Sequence, residues 1–224
     1  MPNFYCFNEI NYNFQPEGSS WCWAACLSNI SIGLNSKSTI GKFQCDIVSH
    51  YKKFLSNFNP NINTSNCCNN TISTSCNIRL DDKHVNYIFG KVGFYVNCFS
   101  DYNQLNDFDF IIESLNNNQA PIVLKTIINK SAHMVLINGY GTKPNGCNYI
   151  LISDPDNSKN EVYFNHEYYL KNHKIEKFWT LKSENSNNLK KDAILTYNAN
   201  YIKNLLNSNG INKNSFSKKE NFDI

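Results

Sequence analysis

The sequence predicts an α+β fold in which a helical N-terminal half meets an antiparallel C-terminal sheet at a cleft. Three observations predict it. Apolar residues recur at helical spacings in the first half, short β-prone runs follow Pro121, and Gly- or Asx-rich turns separate those runs. Helices that precede an antiparallel sheet are typical of this class. At 224 residues the chain is long enough for one domain with room for a tail.

The helical half begins with the best-defined helix. Ser19 and Ser20 can cap its N-terminus, and the apolar side chains that follow recur three and four residues apart. The segment 57–80 is polar and interrupted, which predicts an extended loop. The predicted helices are 19–34, about 38–56, near 81–90 and 106–118.

The β half begins at Pro121, where runs of β-branched and aromatic residues take over. The predicted strands are 121–128, 132–138, 148–153 and 161–164, with 177–181 as a further candidate. After about residue 183 the chain is rich in Asn, Ser and Lys, with one weak helical pattern around 194–206. We therefore expect residues 1–182 to form the domain and 183–224 to be a partly disordered or weakly helical tail.

The composition excludes several classes of partner. A net charge of +3 with 17% charged residues is too small a bias for binding nucleic acid or a membrane surface. No apolar run approaches the length of a membrane-spanning helix, and the N-terminus lacks the pattern of a secretory signal peptide. We expect a soluble protein, either cytoplasmic or secreted and delivered as an effector.

The cysteines leave the redox state open. Setting Cys22 aside as a reactive thiol leaves eight, which permits disulfides without indicating a pairing. A zinc site is not expected, because adjacent cysteines rarely both bind one tetrahedral ion and there is no Cys-x-x-Cys pair. We expect no other cofactor. The side chains considered for zinc are those of Cys67, Cys68, Cys76 and His84.

Cys22 is the candidate nucleophile. It lies in the first turn of the predicted helix 19–34, where the helix dipole favours a thiolate. The dipole alone is too weak to ionise a thiol, so a basic partner is required. Cys26 lies one turn further into the helix, where packing dominates, and is expected to be a core residue or half of a disulfide.

The partner groups are expected on the strands. His133 opens the predicted strand 132–138, and Asp154 follows the strand 148–153, so a hairpin would bring imidazole and carboxylate together. A carboxylate in that position holds the ring in the required tautomer. Gln15, seven residues before Cys22, can return through the turn that follows it to donate to an oxyanion beside the Cys22 backbone N–H.

Four short segments of this sequence resemble a known family. Gln15, the run Trp-Cys-Trp-Ala-Ala-Cys at 21–26, the run Ala-His-Met-Val-Leu-Ile-Asn at 132–138, and Asp154-Pro155 are together similar to the papain-like peptidases of clan CA. The likeness is greatest to the bacterial branch that includes AvrRpt2-type effector peptidases and peptidase-C39-like proteins. The resemblance implies Cys22 as nucleophile, His133 as general base, Asp154 as orienting group and Gln15 as oxyanion donor. It spans about residues 12–182 and does not cover the substrate preference.

The expected function is that of a monomeric cysteine peptidase acting on a protein or peptide. Trp21, Trp23 and Ala132, which adjoin the nucleophile and the base in the chain, are expected to contact the substrate. Two alternatives stay open. The same groups support acyl transfer or deamidation, because an acyl-thioester reacts with amines as well as with water. The fold also occurs in silent binding modules, but such modules usually lose the nucleophile.

Overall fold

The computed structural model describes residues 3–7, 14–34, 36–69, 73–99, 101–156, 161–183 and 194–197. Its helices are α1 (Cys22–Gly33), α2 (Gln44–Ser56), α3 (Val85–Lys91), α4 (Phe108–Asn118) and α5 (His166–Asn172). Its strands are β1 (Asn3–Phe7), β2 (Phe94–Phe99), β3 (Ile122–Ile128), β4 (Ser131–Thr142), β5 (Asn148–Ser153), β6 (Val162–Asn165), β7 (Lys174–Ser183) and β8 (Ile194–Tyr197). Short 3-10 turns are Ile40–Lys42, Asp82–His84 and Tyr102–Asn106. Among these residues no helix combines the length and hydropathy needed to cross a bilayer.

The sheet confirms the predicted α+β class. Six of its eight described strands form the path β2-β7-β3-β4-β1-β8, and β5 pairs with both β4 and β6. All of these pairs are antiparallel. Strand β4 is the centre of the arrangement, because it pairs with β3 and β1 along one edge and with β5 along the other. The start of β4 is held by β3, and its later part lies between β1 and β5.

The hydrophobic core is divided between the two faces of the sheet. On one face α1 packs with Val123 and Leu136, and on the other α4 packs with Leu124 and Val135. The alternation follows from the period-two geometry of a strand that is buried on both faces. Helix α1 is buried along nearly its whole length, with Trp23 through Ser31 inaccessible to solvent. The helix that begins at Cys22 is therefore a central element of the fold rather than a surface helix.

The described parts of the segment 57–80 form an extended loop, as predicted, and two disulfides hold them. One joins Cys45 of α2 to Cys68, and the other joins Cys67 to Cys76. The sulfurs considered as zinc ligands are thus bonded to cysteine. Lys52 of α2 is fully buried under the loop and donates to the carbonyl of Ser65 at 3.2 Å.

The helix predicted over 38–56 is divided in the structure. Ile40–Lys42 forms a 3-10 turn, Phe43 is extended, and α2 begins only at Gln44. The break occurs where Gly41 is packed against α1 so tightly that a Cβ would collide with the side chains of Ser31 and Val92. The chain therefore approaches α1 through a glycine before it turns into α2.

Three strands were not predicted, and one predicted helix is wrong. β1, β2 and β8 each depend on pairing with a strand that is distant in the chain. The helix predicted around 194–206 is contradicted at Ile194–Tyr197, which pairs with β1 as β8. Pairing with a preformed strand overrides a weak local propensity. The remainder of the predicted tail lies outside the described residues.

Removing the shorter disulfide should destabilise the fold measurably. Cys67 and Cys76 close a loop with a sequence separation of 9, and opening such a loop costs about 2–3 kcal/mol in the chain-entropy account. We expect the double variant Cys67→Ala/Cys76→Ala to lose about this much unfolding free energy in urea titrations.

The matched control is Cys98→Ser, which changes an exposed free cysteine and should alter the unfolding free energy by less than about 0.5 kcal/mol. A double variant as stable as the parent would show that the loop is ordered without the disulfide.

Candidate active site

The candidate nucleophile stands at the open N-terminus of α1. Cys22 is the first residue of the helix, and the first backbone hydrogen bond of the turn runs from Ala25 N to Trp21 O at 2.8 Å. No side chain caps the terminus, and the first turn contains no acidic residue. The partial positive charge of the first N–H groups is thus left for a ligand or for the Cys22 sulfur. A thiolate is favoured here over any position deeper in the helix.

The β4–β5 pairing brings the predicted imidazole and carboxylate into contact. His133 lies near the start of β4, and Asp154 directly follows β5. The His133 Nε2 atom is 2.7 Å from the Asp154 Oδ1 atom, and the two side chains are only 14% and 11% exposed. Since Nε2 faces the carboxylate, Nδ1 is the ring nitrogen left for the hydrogen bond with Cys22. One imidazole therefore joins the thiol to the carboxylate.

The electrostatics of this trio favour a protonated ring. Burial alone would lower the pKa of the His133 imidazole, but hydrogen bonds with Asp154 and Cys22 outweigh burial and raise the pKa from 6.5 to about 9. The charges of the same two groups act in the same direction. At neutral pH the arrangement thus favours the imidazolium form of His133.

Cys26 has the opposite environment. It is fully buried one turn into α1, and its Sγ donates to the Met134 carbonyl at 3.4 Å. Burial, together with the nearby Cys22 and Asp154, raises the pKa of the Cys26 thiol well above its usual value. Cys26 is free rather than disulfide-bonded. Of the two expectations for it, a core residue or half of a disulfide, the first is confirmed.

Gln15 is tied to the same site through the turn after Asp154. Its backbone N–H donates to the Pro155 carbonyl at 2.9 Å, and its side-chain Nε2 donates to the Ser19 carbonyl at 3.3 Å. The amide carries a second N–H hydrogen besides the one used for Ser19. Gln15 lines the same cleft as Cys22, which agrees with the expected position of an oxyanion donor.

A half-buried glutamate that the sequence did not reveal links the two strands that carry His133 and Asp154. Glu161 Oε1 accepts hydrogen bonds from Asn138 Nδ2 and from Ser153 Oγ, both at 2.9 Å. Burial raises the pKa of Glu161, while those two hydrogen bonds act in the opposite direction. Asn138 lies at the irregularity in the β4–β5 register, and Ser153 immediately precedes Asp154. Glu161 therefore links β4 to β5 next to Asp154, the residue that follows β5.

A cleft of about 470 Å³ runs past the thiol and the imidazole. Of the residues predicted to contact substrate, Trp23 and Ala132 line it, whereas Trp21 does not. Trp21 is 1% exposed, and its indole Nε1 donates to the Cys76 carbonyl at 2.8 Å. The residues that line the cleft are Gln15, Ser19, Ser20, Cys22, Trp23, Arg79, Leu80, Asp82, Lys125, Ile128, Ser131, Ala132, His133, Met134 and Asp156.

The segment 76–80 forms one wall of this cleft and is hydrogen-bonded to the start of α1. The two indoles donate in succession, Trp21 to the Cys76 carbonyl and Trp23 Nε1 to the Ile78 carbonyl at 3.2 Å. The side-chain oxygen of Asn77 accepts from the Ser20 backbone N–H. We call residues 76–80 the strap. The same contacts that hold the strap also fix the residues on both sides of Cys22.

Charged residues at one end of the cleft were missed by the sequence reasoning. Asp82 accepts from Lys125 at 2.9 Å and from Lys177 at 2.8 Å, which links the helical half to β3 and β7. Lys125 also pairs with Glu176 at 3.1 Å. Arg79 of the strap lines the cleft beside this network. One signal was available, because Arg79 is the only arginine in the chain.

The family model that matches this geometry is described as the Peptidase_C39 like family, and it matches residues 7–186. The chain belongs to this family. The membership places it among papain-like cysteine peptidases, which confirms the predicted fold and the C39-like branch of the resemblance. Among curated proteins, none matches the sequence.

Two solved structures are similar to this C39-like chain at low identity. The peptidase domain of Streptococcus ComA, a bifunctional ABC transporter involved in a quorum sensing pathway, is 16% identical, with a TM-score of 0.45, over 77% of this chain and 98% of that one. A double glycine motif protease from an AMS/PCAT transporter, in complex with the leader peptide, is 15% identical, with a TM-score of 0.38, over 80% and 98%.

The raised pKa of His133 predicts a pH-dependent contribution to stability. The folded-state pKa of about 9 lies above the ordinary value of 6.5, so the protonated ring stabilises the fold. That contribution is complete below about pH 6.5 and is lost as the pH rises through about 9. Replacing the carboxylate in Asp154→Asn should lower the pKa of His133. We expect the parent to lose more unfolding free energy than this variant between those two pH values.

Urea titrations across the pH range, with NMR titration of the His133 ring protons, measure both quantities. Asp109→Asn removes an exposed carboxylate in α4 and should leave the His133 titration unchanged. Equal His133 pKa values in the parent and in Asp154→Asn would contradict the assigned cause.

Proposed function

We propose that this protein is a cysteine peptidase that hydrolyses peptide bonds through a Cys22 thiolate and a His133 imidazolium. The observation that carries the proposal is the trio itself. Cys22 stands at an uncapped helix N-terminus, its hydrogen-bond partner is His133, and His133 Nε2 is 2.7 Å from Asp154. Membership of the C39-like family supports the same activity. The substrate is a protein or peptide chain that lies in the cleft beside the trio.

The first half of the reaction forms a thioester. The Cys22 sulfur donates an electron pair to the carbonyl carbon of the scissile bond, and the carbonyl π electrons move to oxygen. As the tetrahedral intermediate collapses, the C–N bond breaks and His133 transfers its proton to the departing nitrogen. The products of this half are an amine and an acyl group on the Cys22 sulfur. His133 is then neutral and ready to act as a base.

The oxyanion formed in that step requires donors that are already in place. The backbone N–H of Cys22 is one of the unsatisfied groups at the start of α1. The Gln15 side-chain amide is the second, held at the cleft by the hydrogen bonds to Pro155 and Ser19. Neither donor takes part in the hydrogen bond between His133 and Cys22. Both therefore stabilise the oxyanion without competing for the proton on His133.

The second half consumes one water molecule. His133 removes a proton from water, the hydroxyl oxygen attacks the thioester carbon, and the C–S bond breaks to regenerate the thiolate. The released product is a carboxylic acid, and His133 is again protonated. Asp154 keeps Nδ1 of the ring directed at the sulfur in both halves, because it binds the opposite nitrogen.

Replacing the nucleophile tests the proposal directly. Cys22→Ala should abolish cleavage of a peptide library, because Cys22 is the thiol that is hydrogen-bonded to His133, and its circular dichroism should match the parent. In the parent, iodoacetamide should modify Cys22 faster than the exposed free Cys98 at neutral pH, since the imidazolium favours the thiolate.

Cys98→Ser serves as the control and should retain full cleavage. Mass spectrometry of the products separates hydrolysis, which gives new chain termini, from transfer or deamidation, which leaves the chain uncut. Undiminished cleavage by Cys22→Ala would refute the proposal.

The oxyanion role of Gln15 has its own kinetic signature. Gln15→Ala should lower kcat by about 100-fold or more with little change in KM, because the lost hydrogen bond acts in the transition state. Gln104→Ala, which changes an exposed glutamine far along the chain, should be without effect on either constant. A Gln15 variant that raises KM and keeps kcat would assign this side chain to substrate binding instead.

A further inference from the structure

The cleft carries one positive charge that no described residue neutralises. At its charged end, Lys125 and Lys177 are opposed by Asp82 and Glu176, so two cations meet two anions. Arg79 stands beside this set, lines the cleft and is exposed. Within the described part of the chain its guanidinium has neither an ion pair nor a hydrogen bond. A neighbouring cation, Lys83, is by contrast paired with Asp81 at 3.1 Å and lies outside the cleft.

The position of Arg79 is fixed although its side chain is exposed. It belongs to the strap, whose preceding residue, Ile78, accepts the hydrogen bond from the Trp23 indole. The Cys67–Cys76 disulfide anchors the start of the strap, and Asp82 anchors the residues that follow through two lysines. The backbone that carries Arg79 is therefore held at both ends. Its guanidinium faces the cleft from a segment that is hydrogen-bonded to Trp23, the residue after Cys22.

We infer that Arg79 selects substrates that carry an acidic side chain close to the bond that is cut. This inference rests on the proposed peptidase function and adds a substrate class to it. A guanidinium presents a planar fork of donors that matches a carboxylate, and such a charge-assisted pair is stronger than a neutral hydrogen bond. The other carboxylate of the cleft, Asp156, follows the Asp154–Pro155 turn on the β side. The cleft is therefore asymmetric in charge, and the preference is confined to the Arg79 side.

The experiment compares peptides that differ only by Glu against Gln, with the substitution moved through each position around the cleaved bond. At one position the parent should cleave the Glu peptide with a kcat/KM about tenfold higher than the Gln peptide. In Arg79→Gln that ratio should fall to about 1, and in Arg79→Glu it should be inverted. Arg79→Lys should retain part of the ratio, because it keeps the charge without the planar fork.

Lys83→Gln is the matched control, since it removes one positive charge four residues along the chain without altering the cleft. Its Glu-to-Gln ratio should equal that of the parent. A ratio that survives in Arg79→Gln, or a parent that cleaves both peptides equally at every position, overturns the inference and leaves the peptidase function standing.

A second readout separates the inference from the function it rests on. The same peptides are tested for their ability to slow iodoacetamide modification of Cys22, followed at the level of individual tryptic peptides. One outcome is that no peptide is cleaved, yet the Glu peptides protect Cys22 better than the Gln peptides in the parent and lose this advantage in Arg79→Gln. The peptidase proposal then fails and the inference about Arg79 holds. Absence of both cleavage and selective protection overturns the two together.

Discussion

The hydrogen bond between His133 and Asp154 is the constraint on which the rest of the site depends. At 2.7 Å and with little exposure, it fixes which nitrogen of the ring faces the sulfur. It exists only because β4 and β5 are paired so that a residue near the start of one strand meets the residue that follows the end of the other. The pairing is in turn secured by Glu161, which binds Asn138 and Ser153. The reactive geometry is thus a consequence of strand register.

The Cys22 thiol is positioned by a separate set of contacts. Helix α1 is buried in the core, so its axis cannot move without disturbing the packing on that face of the sheet. Its first turn is held from the opposite side by the strap, through the indoles of Trp21 and Trp23. A tryptophan next to the nucleophile therefore acts as a structural donor, and for Trp21 burial leaves no surface for a substrate. Contacts on both sides of the helix terminus therefore fix the position of Cys22.

The elements that carry the candidate site could be predicted from the sequence. Cys22, His133 and Asp154 lie at or near the ends of elements whose existence the hydrophobic pattern predicts, although α1 begins at Cys22 rather than at residue 19. The disulfides could not be paired, because the partners of Cys45 and Cys67 are chosen by how the loop 57–80 folds over α2. Strands β1 and β8 were not predicted for a related reason, since each is defined by its pairing rather than by its own residues.

The charged end of the cleft shows why ion pairs matter here for geometry more than for stability. Asp82 with Lys125 and Lys177 is partly buried, and the cost of removing such charges from water offsets much of their attraction. What the network does provide is a fixed distance between the helical half and the sheet at the end of the cleft. The two walls of the cleft are thereby held at a set separation, and among the described residues that line the cleft Arg79 is the cation that these pairs leave unneutralised. The selectivity of the cleft is therefore expected to change with this residue while the walls stay where they are.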